Sequence, residues 1–172
     1  TVIPVSLSMF DWAAYRHRKG AVKLHLVLNH DGYLPQYAVL SDGKTADVTV
    51  AQQMEFAPGT IVVMDRGYED HGWWRTLALN GVYFVSRLKD NTGYGIVGER
   101  AVPPGSNILR DEEITLVSEE RHPQPMRLRR IEVWVPEKAD TLVFVTNHPN
   151  LAASTIAAIY QDRWQIELFF KA

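Results

Sequence analysis

Apolar residues in the first half of the chain fall into short runs that turn residues separate. Residues 22–28 alternate between polar and apolar, residues 33–40 follow a His-Asp-Gly turn, and together they predict a β-hairpin. The apolar run at residues 61–64 is continuous, which is typical of a short strand buried on both faces. Helices are predicted on either side of this run, over residues 47–56 and 70–79. This order of strands and helices predicts an α/β domain.

Smaller elements complete this first half. Residues 1–8 are rich in β-formers and predict a strand, and residues 10–15 predict a brief helical turn. Asp47 is placed to cap the helix that follows it. Residues 82–88 predict a further strand.

The pattern changes between residues 94 and 147. Short apolar runs follow one another there without helices between them, at residues 95–97, 107–110, 113–117, 126–135 and 141–146. Prolines and glycines separate these runs. We interpret residues 94–147 as a β-rich insertion into an α/β core formed by residues 1–93. Residues 148–172 are predicted to return to that core as a helix.

Composition excludes several classes of protein. The 172 residues, of which 46% are hydrophobic, suffice for one domain with a core. A net charge of -2 excludes the overall basic character of many nucleic-acid binders, so any such binding must depend on local patches. The absence of cysteine excludes disulfides, thiolate metal sites and cysteine nucleophiles. No apolar run approaches the ~18–20 residues of a membrane span and no signal peptide is recognisable, which predicts a cytoplasmic protein.

The run at residues 61–64 stops at Asp65, and Gly67 permits a change of direction just after it. A carboxylate at the carboxyl end of a buried strand lies where open α/β sheets bind their ligands. The alternative is that Asp65 only caps the helix that begins near Glu69 or Asp70. Both interpretations remain open on this stretch alone.

The last predicted helix carries a second carboxylate. At 3.6 residues per turn, Tyr160, Arg163, Glu167 and Lys171 share one stripe, next to an apolar stripe that is expected to face the core. An acidic side chain thus lies beside an arginine at the boundary of the buried face. The alternative is an ordinary ion pair between Arg163 and Glu167 at i,i+4, worth about 0.2–0.5 kcal/mol.

Together these motifs resemble the DDE-type insertion-sequence transposases, in the branch with the signature Tyr-x2-Arg-x3-Glu-x6-Lys. Tyr160, Arg163 and Glu167 match that signature at its spacing. Residues 64–68 (Met-Asp-Arg-Gly-Tyr) resemble the family's second-aspartate motif, and residues 43–47 resemble its Gly-x-x-x-Asp stretch. The resemblance covers essentially the whole chain.

Two positions of the family pattern fall outside the sequence. The signature lysine would be residue 174, and Lys171 does not occupy that place. The first catalytic aspartate would precede Thr1 by two residues, within an Asp-Ser-Thr motif. We therefore expect a fragment with two of three catalytic carboxylates, inactive by itself.

The resemblance implies an RNase H-like core, as in retroviral integrases, with the β-rich insertion before the last helix. Asp65 and Glu167 would be catalytic residues and would bind two Mg²⁺ (or Mn²⁺) ions, which prefer oxygen ligands. The implied reaction is metal-dependent cleavage at the transposon end. Attack of the freed 3′-hydroxyl on target DNA would follow, in cut-and-paste transposition.

The implied partners are the double-stranded DNA of transposon ends and target, and a second copy of the protein in a synaptic homodimer. Tyr160 and Arg163 would contact DNA near the scissile phosphate. Arg16, Arg18 and Lys19 form a basic patch that would hold further phosphates, with an ordinary solvated loop as the alternative.

Three other functions compete with this interpretation. Another metal-dependent nuclease on the same core would cut DNA without joining 3′ ends to a target. A decayed or repurposed relic would bind DNA without cleaving it. A glycoside hydrolase with two carboxylates is the most distant alternative.

Overall fold

A computed structural model describes residues 2–5, 14–15, 19–116 and 125–163 of the chain. The chain divides into two compact units. One comprises Thr1–Glu55 and Trp164–Ala172, and the other comprises Phe56–Arg163. Within the described ranges, no helix combines the length and the apolar character needed to cross a membrane.

The first unit contains an antiparallel sheet around one long strand. Its described elements are β1 (Val2–Val5), β2 (Ala14–Tyr15), β3 (Lys19–Leu28), β4 (Pro35–Asp42) and the helix α1 (Asp47–Ala51). β3 pairs with each of the other described strands. The predicted hairpin is confirmed as β3–β4, and Asn29 N donates to Leu34 O at 2.8 Å where its turn closes. Gly32 in this turn has φ 82°, a left-handed conformation that favours glycine.

Three predictions for this unit differ from the structure, the first of them only over residues 14–15, because residues 10–13 lie outside the described residues. Residues 14–15 belong to a strand instead of a helical turn, because they pair with the start of β3. Asp47 is the first residue of α1, and Ala46 takes the N-cap position without a side-chain hydrogen bond. The Asp47 carboxylate accepts a hydrogen bond from Lys23 Nζ at 3.1 Å, so a neighbouring strand holds it. α1 is also shorter than the predicted residues 47–56.

The second unit is a mixed sheet with helices packed on it. Its elements are β5 (Ile61–Val63), α2 (His71–Leu79), β6 (Tyr83–Arg87), β7 (Tyr94–Glu99), β8 (Ile108–Leu116), β9 (Arg127–Val135), β10 (Asp140–Thr146) and α3 (Ala153–Asp162). The described strands lie in the order β5-β6-β10-β9-β8-β7. β5 and β6 are parallel, and the other neighbours are antiparallel. β5 comes first in this order, and its three residues are partly buried, with Ile61 and Val63 packed against the core. Burial of both its faces remains a prediction.

α2 carries the chain from β5 to β6 and thereby makes these strands parallel neighbours. The Asp70 carboxylate caps the helix by accepting a hydrogen bond from Trp73 N at 2.7 Å. After the helix, Gly81 reverses the chain with φ 70°. Trp74 packs on Phe84 of β6 with ring centroids 4.8 Å apart, which fixes α2 on the sheet. The predicted helix and strand are therefore confirmed.

α3 packs on the face of the sheet opposite to α2, against residues of β6, β9 and β10. Buried residues shared by α3 and the sheet form one apolar cluster, which includes Val85, Ile131, Phe144, Ile156 and Tyr160. Val85 follows Phe84 directly along β6, so the two contact opposite faces. The helix predicted after residue 148 is confirmed over the part that the structure describes.

The strands of the predicted insertion continue the sheet that holds β5 and β6. β10 lies between β6 and β9 and pairs with both. The stretches 107–110 and 113–117, predicted as separate strands, belong to the single strand β8. The boundaries of the insertion at residues 94 and 147 remain a prediction.

Buried ion pairs explain why β8 continues through its acidic middle. Asp111 accepts a hydrogen bond from Arg129 Nε at 2.6 Å, and their side chains are 5% and 7% exposed. The next residue, Glu112, is 2% exposed and accepts from Arg130 Nη1 at 2.8 Å. A run of acidic residues in the sequence thus becomes part of a regular strand because the arginines of β9 compensate its charge.

Candidate active site at the ends of β5 and β6

Asp65 lies just beyond the carboxyl end of β5. Met64 N donates to Val85 O at 3.0 Å, which extends the pairing with β6 by one residue. The backbone then turns into the 3-10 helix Arg66–Tyr68, for which Asp65 is the N-cap. The interpretation that Asp65 caps the helix after residue 69 is wrong, because Asp70 caps α2. Asp65 caps only its own single turn.

Gly67 allows the backbone to approach the Asp65 carboxylate closely. Its N–H donates to Asp65 Oδ1 at 2.7 Å. A Cβ atom at position 67 would lie 2.8 Å from that same oxygen, closer than a carbon atom can stay without displacing it. Its φ is not in the left-handed region, so the requirement for glycine comes from this contact. The short Asp65–Gly67 turn thus holds one carboxylate oxygen in place.

Arg87 occupies the equivalent place at the end of β6. The parallel register pairs Val63 with Val85, so Asp65 and Arg87 each follow two residues beyond the same rung. Arg87 Nε is buried and has no hydrogen-bond acceptor among the described residues. Arg130 Nε is in the same condition, but its guanidinium pairs with Glu112, whereas Arg87 forms no ion pair among the described residues. Arg87 is therefore a candidate donor to a ligand.

Tyr160 and Arg163, at the end of α3, lie close to both of these residues. The Tyr160 ring is 4% exposed and packs on Phe144 with centroids 4.8 Å apart. The Arg163 guanidinium lies 5.4 Å from the centre of the same ring and forms a hydrogen bond with the Tyr160 side chain. Tyr160 is therefore a core residue that holds Arg163 on its hydroxyl end.

Charges around Tyr160 show how the four groups are arranged. Burial raises the pKa of Tyr160, the cations Arg163 and Arg87 act against this rise, and the Asp65 carboxylate adds to it. The structure thus brings together three residues that the sequence predicts for the site, Asp65, Tyr160 and Arg163, and adds Arg87.

The residues at this edge fit one part of a divalent-metal site. Asp65 supplies a carboxylate, the oxygen ligand that Mg²⁺ prefers, and it forms no ion pair with a described lysine or arginine. Within the described residues, no group of three or more histidines and carboxylates is placed to hold a metal ion. The described chain therefore offers one ligand, and the second predicted carboxylate lies outside it.

The family follows from a match that spans nearly the entire sequence. A family model described as "Transposase DDE domain" matches residues 7–172. The chain belongs to the DDE-type insertion-sequence transposases. This confirms the resemblance to that family, and the mixed α/β sheet fits the RNase H-like fold of such a transposase.

Two relatives are similar to this chain over 99% of the chain's own length. The chain is 31% identical over 175 residues to "Putative transposase y4zB" of Sinorhizobium fredii (strain NBRC 101917 / NGR234), with 99% of this chain and 49% of the relative covered. It is 27% identical over 173 residues to "Probable transposase for insertion sequence element IS5377" of Geobacillus stearothermophilus, with 99% and 45% covered. The chain thus spans about half the length of these relatives.

Several predicted site residues of the transposase lie outside the described residues. They are Glu167, Arg16 and Arg18. Lys19 begins β3, but the structure does not describe its side chain. The roles given to these residues remain predictions.

Arg87 is the residue that sequence reasoning missed. Its strand is predicted correctly, and an arginine at the end of a strand next to that of Asp65 is the available signal. The signal could not be used because the sequence alone does not reveal that β5 pairs with β6.

Proposed function

We propose that this transposase domain cleaves DNA strands at transposon ends and joins the freed 3′ ends to target DNA in cut-and-paste transposition. Asp65 and Glu167 bind two Mg²⁺ (or Mn²⁺) ions in this proposal, as in the branch with the Tyr-x2-Arg-x3-Glu-x6-Lys signature. The observation that carries it is the meeting of Asp65 with Arg87, Tyr160 and Arg163 at one sheet edge of a DDE-family chain.

The bound ions supply Lewis-acid stabilisation of the attacking and leaving oxygens during displacement at phosphorus. The protein contributes ligands in fixed positions. Gly67 N holds one oxygen of Asp65 at 2.7 Å, and no described lysine or arginine forms an ion pair with this carboxylate that would compete with a metal ion. Hydrolysis and strand transfer are both in-line displacements, so a single set of ligands serves both.

Arg87 and Arg163 bind the scissile phosphate in this proposal. Arg87 has an unused buried Nε–H, and guanidinium groups form bidentate hydrogen bonds with phosphate oxygens. Arg163 adds a second cation, and the buried Tyr160 orients it. Tyr160 is thereby assigned to positioning Arg163, since its ring is in the core.

Further DNA contacts fall to the basic patch of Arg16, Arg18 and Lys19, which binds phosphates without reading sequence. A homodimer that holds two transposon ends would let one enzyme cut both. We expect the protein to act in the bacterial cytoplasm, where its DNA lies.

The test uses the full-length gene product, end-labelled DNA of the element's terminus and a target plasmid. Asp65→Asn and Glu167→Gln are each expected to abolish Mg²⁺-dependent cleavage and strand transfer while DNA binding persists. Asp90→Asn is the matched control. The Asp90 side chain is 96% exposed, and its ion pair with Arg66 is long, at 4.0 Å. This variant should leave both reactions unchanged.

Each alternative predicts a different result in this assay. Cleavage without joining of 3′ ends would support the simple nuclease. DNA binding that ignores Mg²⁺, with no cleavage, would support the relic. Full activity of Asp65→Asn would remove Asp65 from the metal site.

A further inference from the structure

Glu69 connects the segment after β5 to the loop after β6. Its side chain is 5% exposed. The carboxylate accepts hydrogen bonds from Lys89 N at 2.9 Å and from Thr92 Oγ1 at 2.5 Å. His71 Nε2 lies 3.3 Å from the same group. The buried Glu69 side chain thus binds two residues that lie 20 and 23 positions after it in the sequence.

The Glu69 carboxylate is held in its charged form. Burial acts to raise its pKa, but the hydrogen bonds from His71, Thr92 and Lys89 N together outweigh burial and lower the pKa. A buried carboxylate without such donors would destabilise the fold. Two of these hydrogen bonds come from the loop after β6, through Lys89 N and Thr92 Oγ1, so Glu69 holds that loop in place.

Other contacts between the two strand ends are weaker. The β5–β6 ladder ends where Met64 N donates to Val85 O. Beyond it, Ser86 Oγ lies 3.3 Å from Asp65 O. The Arg66–Asp90 pair is 4.0 Å apart and largely exposed, and such pairs stabilise little. Glu69 provides a second buried connection beyond the Ser86–Asp65 hydrogen bond, further along both segments.

The connection spans the two groups that matter for the proposed reaction. Asp65 precedes Glu69 on one segment, and Arg87 precedes Lys89 on the other. A change in the separation of these segments would change the distance between the carboxylate and the guanidinium. In the proposed function, the distance between the Asp65 carboxylate and the Arg87 guanidinium determines how the metal ion lies relative to the DNA phosphate.

We infer that Glu69 is a positioning residue for DNA cleavage, which sets Arg87 and its phosphate against Asp65 by tying the Lys89–Thr92 loop to the Asp65–Glu69 segment. This inference rests on the proposed function. In this inference Glu69 acts through the loop and not by contact with DNA or metal.

The decisive experiment is a double-mutant cycle in the full-length gene product, read as the single-turnover cleavage rate on labelled terminus DNA. Glu69→Ala is expected to lower this rate by up to ~10²-fold, because misplacement by about 1 Å can cost that much. DNA affinity is expected to stay unchanged. In an Arg87→Ala background, Glu69→Ala should cost little more, since both changes remove the same alignment.

Matched variants separate alignment from folding. Glu113→Ala removes a carboxylate of the same sheet that pairs with Arg100 at 2.7 Å, away from the site, and should leave the rate unchanged. If Glu69→Ala fails to fold, Thr92→Val removes one donor with little change in shape. Thr92→Ser restores the hydroxyl and should restore the rate.

Amide hydrogen exchange at Lys89 reports on the connection without using activity. Glu69→Ala and Thr92→Val should accelerate exchange there. Unchanged exchange would overturn the connection itself. Faster exchange with an unaltered cleavage rate, or rate losses that add in the double variant, would overturn the positioning role. Full cleavage by Asp65→Asn would instead overturn the proposed function, which keeps the two failures distinct.

Discussion

Charged residues of the second unit are arranged in two different ways within one sheet. In the β8–β9 hairpin, Asp111 and Glu112 are buried, and each accepts a hydrogen bond from an arginine of β9. At the carboxyl ends of β5 and β6, Asp65 accepts from a backbone N–H, and Arg87 Nε has no acceptor in the described residues. In the first arrangement each carboxylate is paired with an arginine, although Arg130 Nε there also has no acceptor in the described part of the chain. In the second, Asp65 and Arg87 form no ion pair among the described residues.

The difference shows that charge by itself does not mark a functional site. A carboxylate whose two oxygens both bind a guanidinium has little remaining capacity for a metal ion, and its arginine has little for a phosphate. The hairpin therefore uses its ion pairs for structure. At the β5–β6 edge, Asp65 and Arg87 have no ion-pair partner among the described residues, which is the condition for binding ions and phosphates from outside.

The largest expected effect is the loss of stability when a buried pair of the hairpin is broken. Asp111→Ala leaves Arg129 buried without its partner and should destabilise the protein by about 3–5 kcal/mol. Chemical unfolding followed by circular dichroism measures this. Glu113→Ala serves as the control, because its pair with Arg100 is partly exposed and should be worth about 0–1 kcal/mol. Equal losses in the two variants would contradict the comparison.

Arg87→Ala should give the opposite result at the other region. We expect cleavage to fall by about 10²-fold, which corresponds to roughly 2.7 kcal/mol of transition-state stabilisation. Stability should not fall, since the lost Nε–H has no acceptor among the described residues. Arg87→Lys keeps the charge but not the planar fork and should recover only part of the rate. A large drop in unfolding free energy would reassign Arg87 to structure.

A smaller effect is expected from Gly67→Ala. The added methyl group would meet Asp65 Oδ1 at 2.8 Å and push the carboxylate away from Gly67 N. We expect about a tenfold loss of cleavage rate, or ~1.4 kcal/mol, with a higher Mg²⁺ concentration needed for half-maximal activity. Gly95→Ala, in β7, controls for the general effect of replacing glycine, because its φ is not left-handed and an added Cβ there meets no atom within 4 Å. An unchanged metal requirement would separate this turn from metal binding.

The smallest expected effect is on how the stability of the fold depends on acidic pH. The pKa of Glu69 is lower in the folded protein than its ordinary value of 4.5, so the unfolded chain takes up this proton first as pH falls. The stabilisation that Glu69 contributes is therefore complete above about pH 4.5 and is lost as the pH drops further towards its folded pKa. Unfolding curves across this range should depend less on pH in Glu69→Gln than in the parent protein. Identical pH dependence would contradict an ionised Glu69 in the fold.

Local signals allow part of the molecule to be predicted. The continuous run before Asp65 predicts β5, and Asp70 with Asn80-Gly81 predicts both ends of α2. Such signals act within a few residues, because caps and turns are made by neighbours in sequence. The carboxylate at the end of β5 is found in this way.

Contacts between distant residues cannot be predicted in this way. The prediction that Asp47 caps α1 is wrong, because Lys23 of strand β3 binds the Asp47 carboxylate. The prediction divides β8 because the acidic residues at its centre are buried only once Arg129 and Arg130 of β9 lie beside them. Arg87 is missed for the same reason, since its place beside Asp65 depends on the parallel pairing of β5 with β6.

The position of β10 has a consequence for biosynthesis. β10 is the last described strand to leave the ribosome, yet it lies between β6 and β9. At ~5–20 residues per second, both neighbours wait on the order of seconds with open edges, which can pair with other chains. Translation products that stop before Asp140 are therefore expected to aggregate, instead of persisting as folded competitors of the full-length transposase.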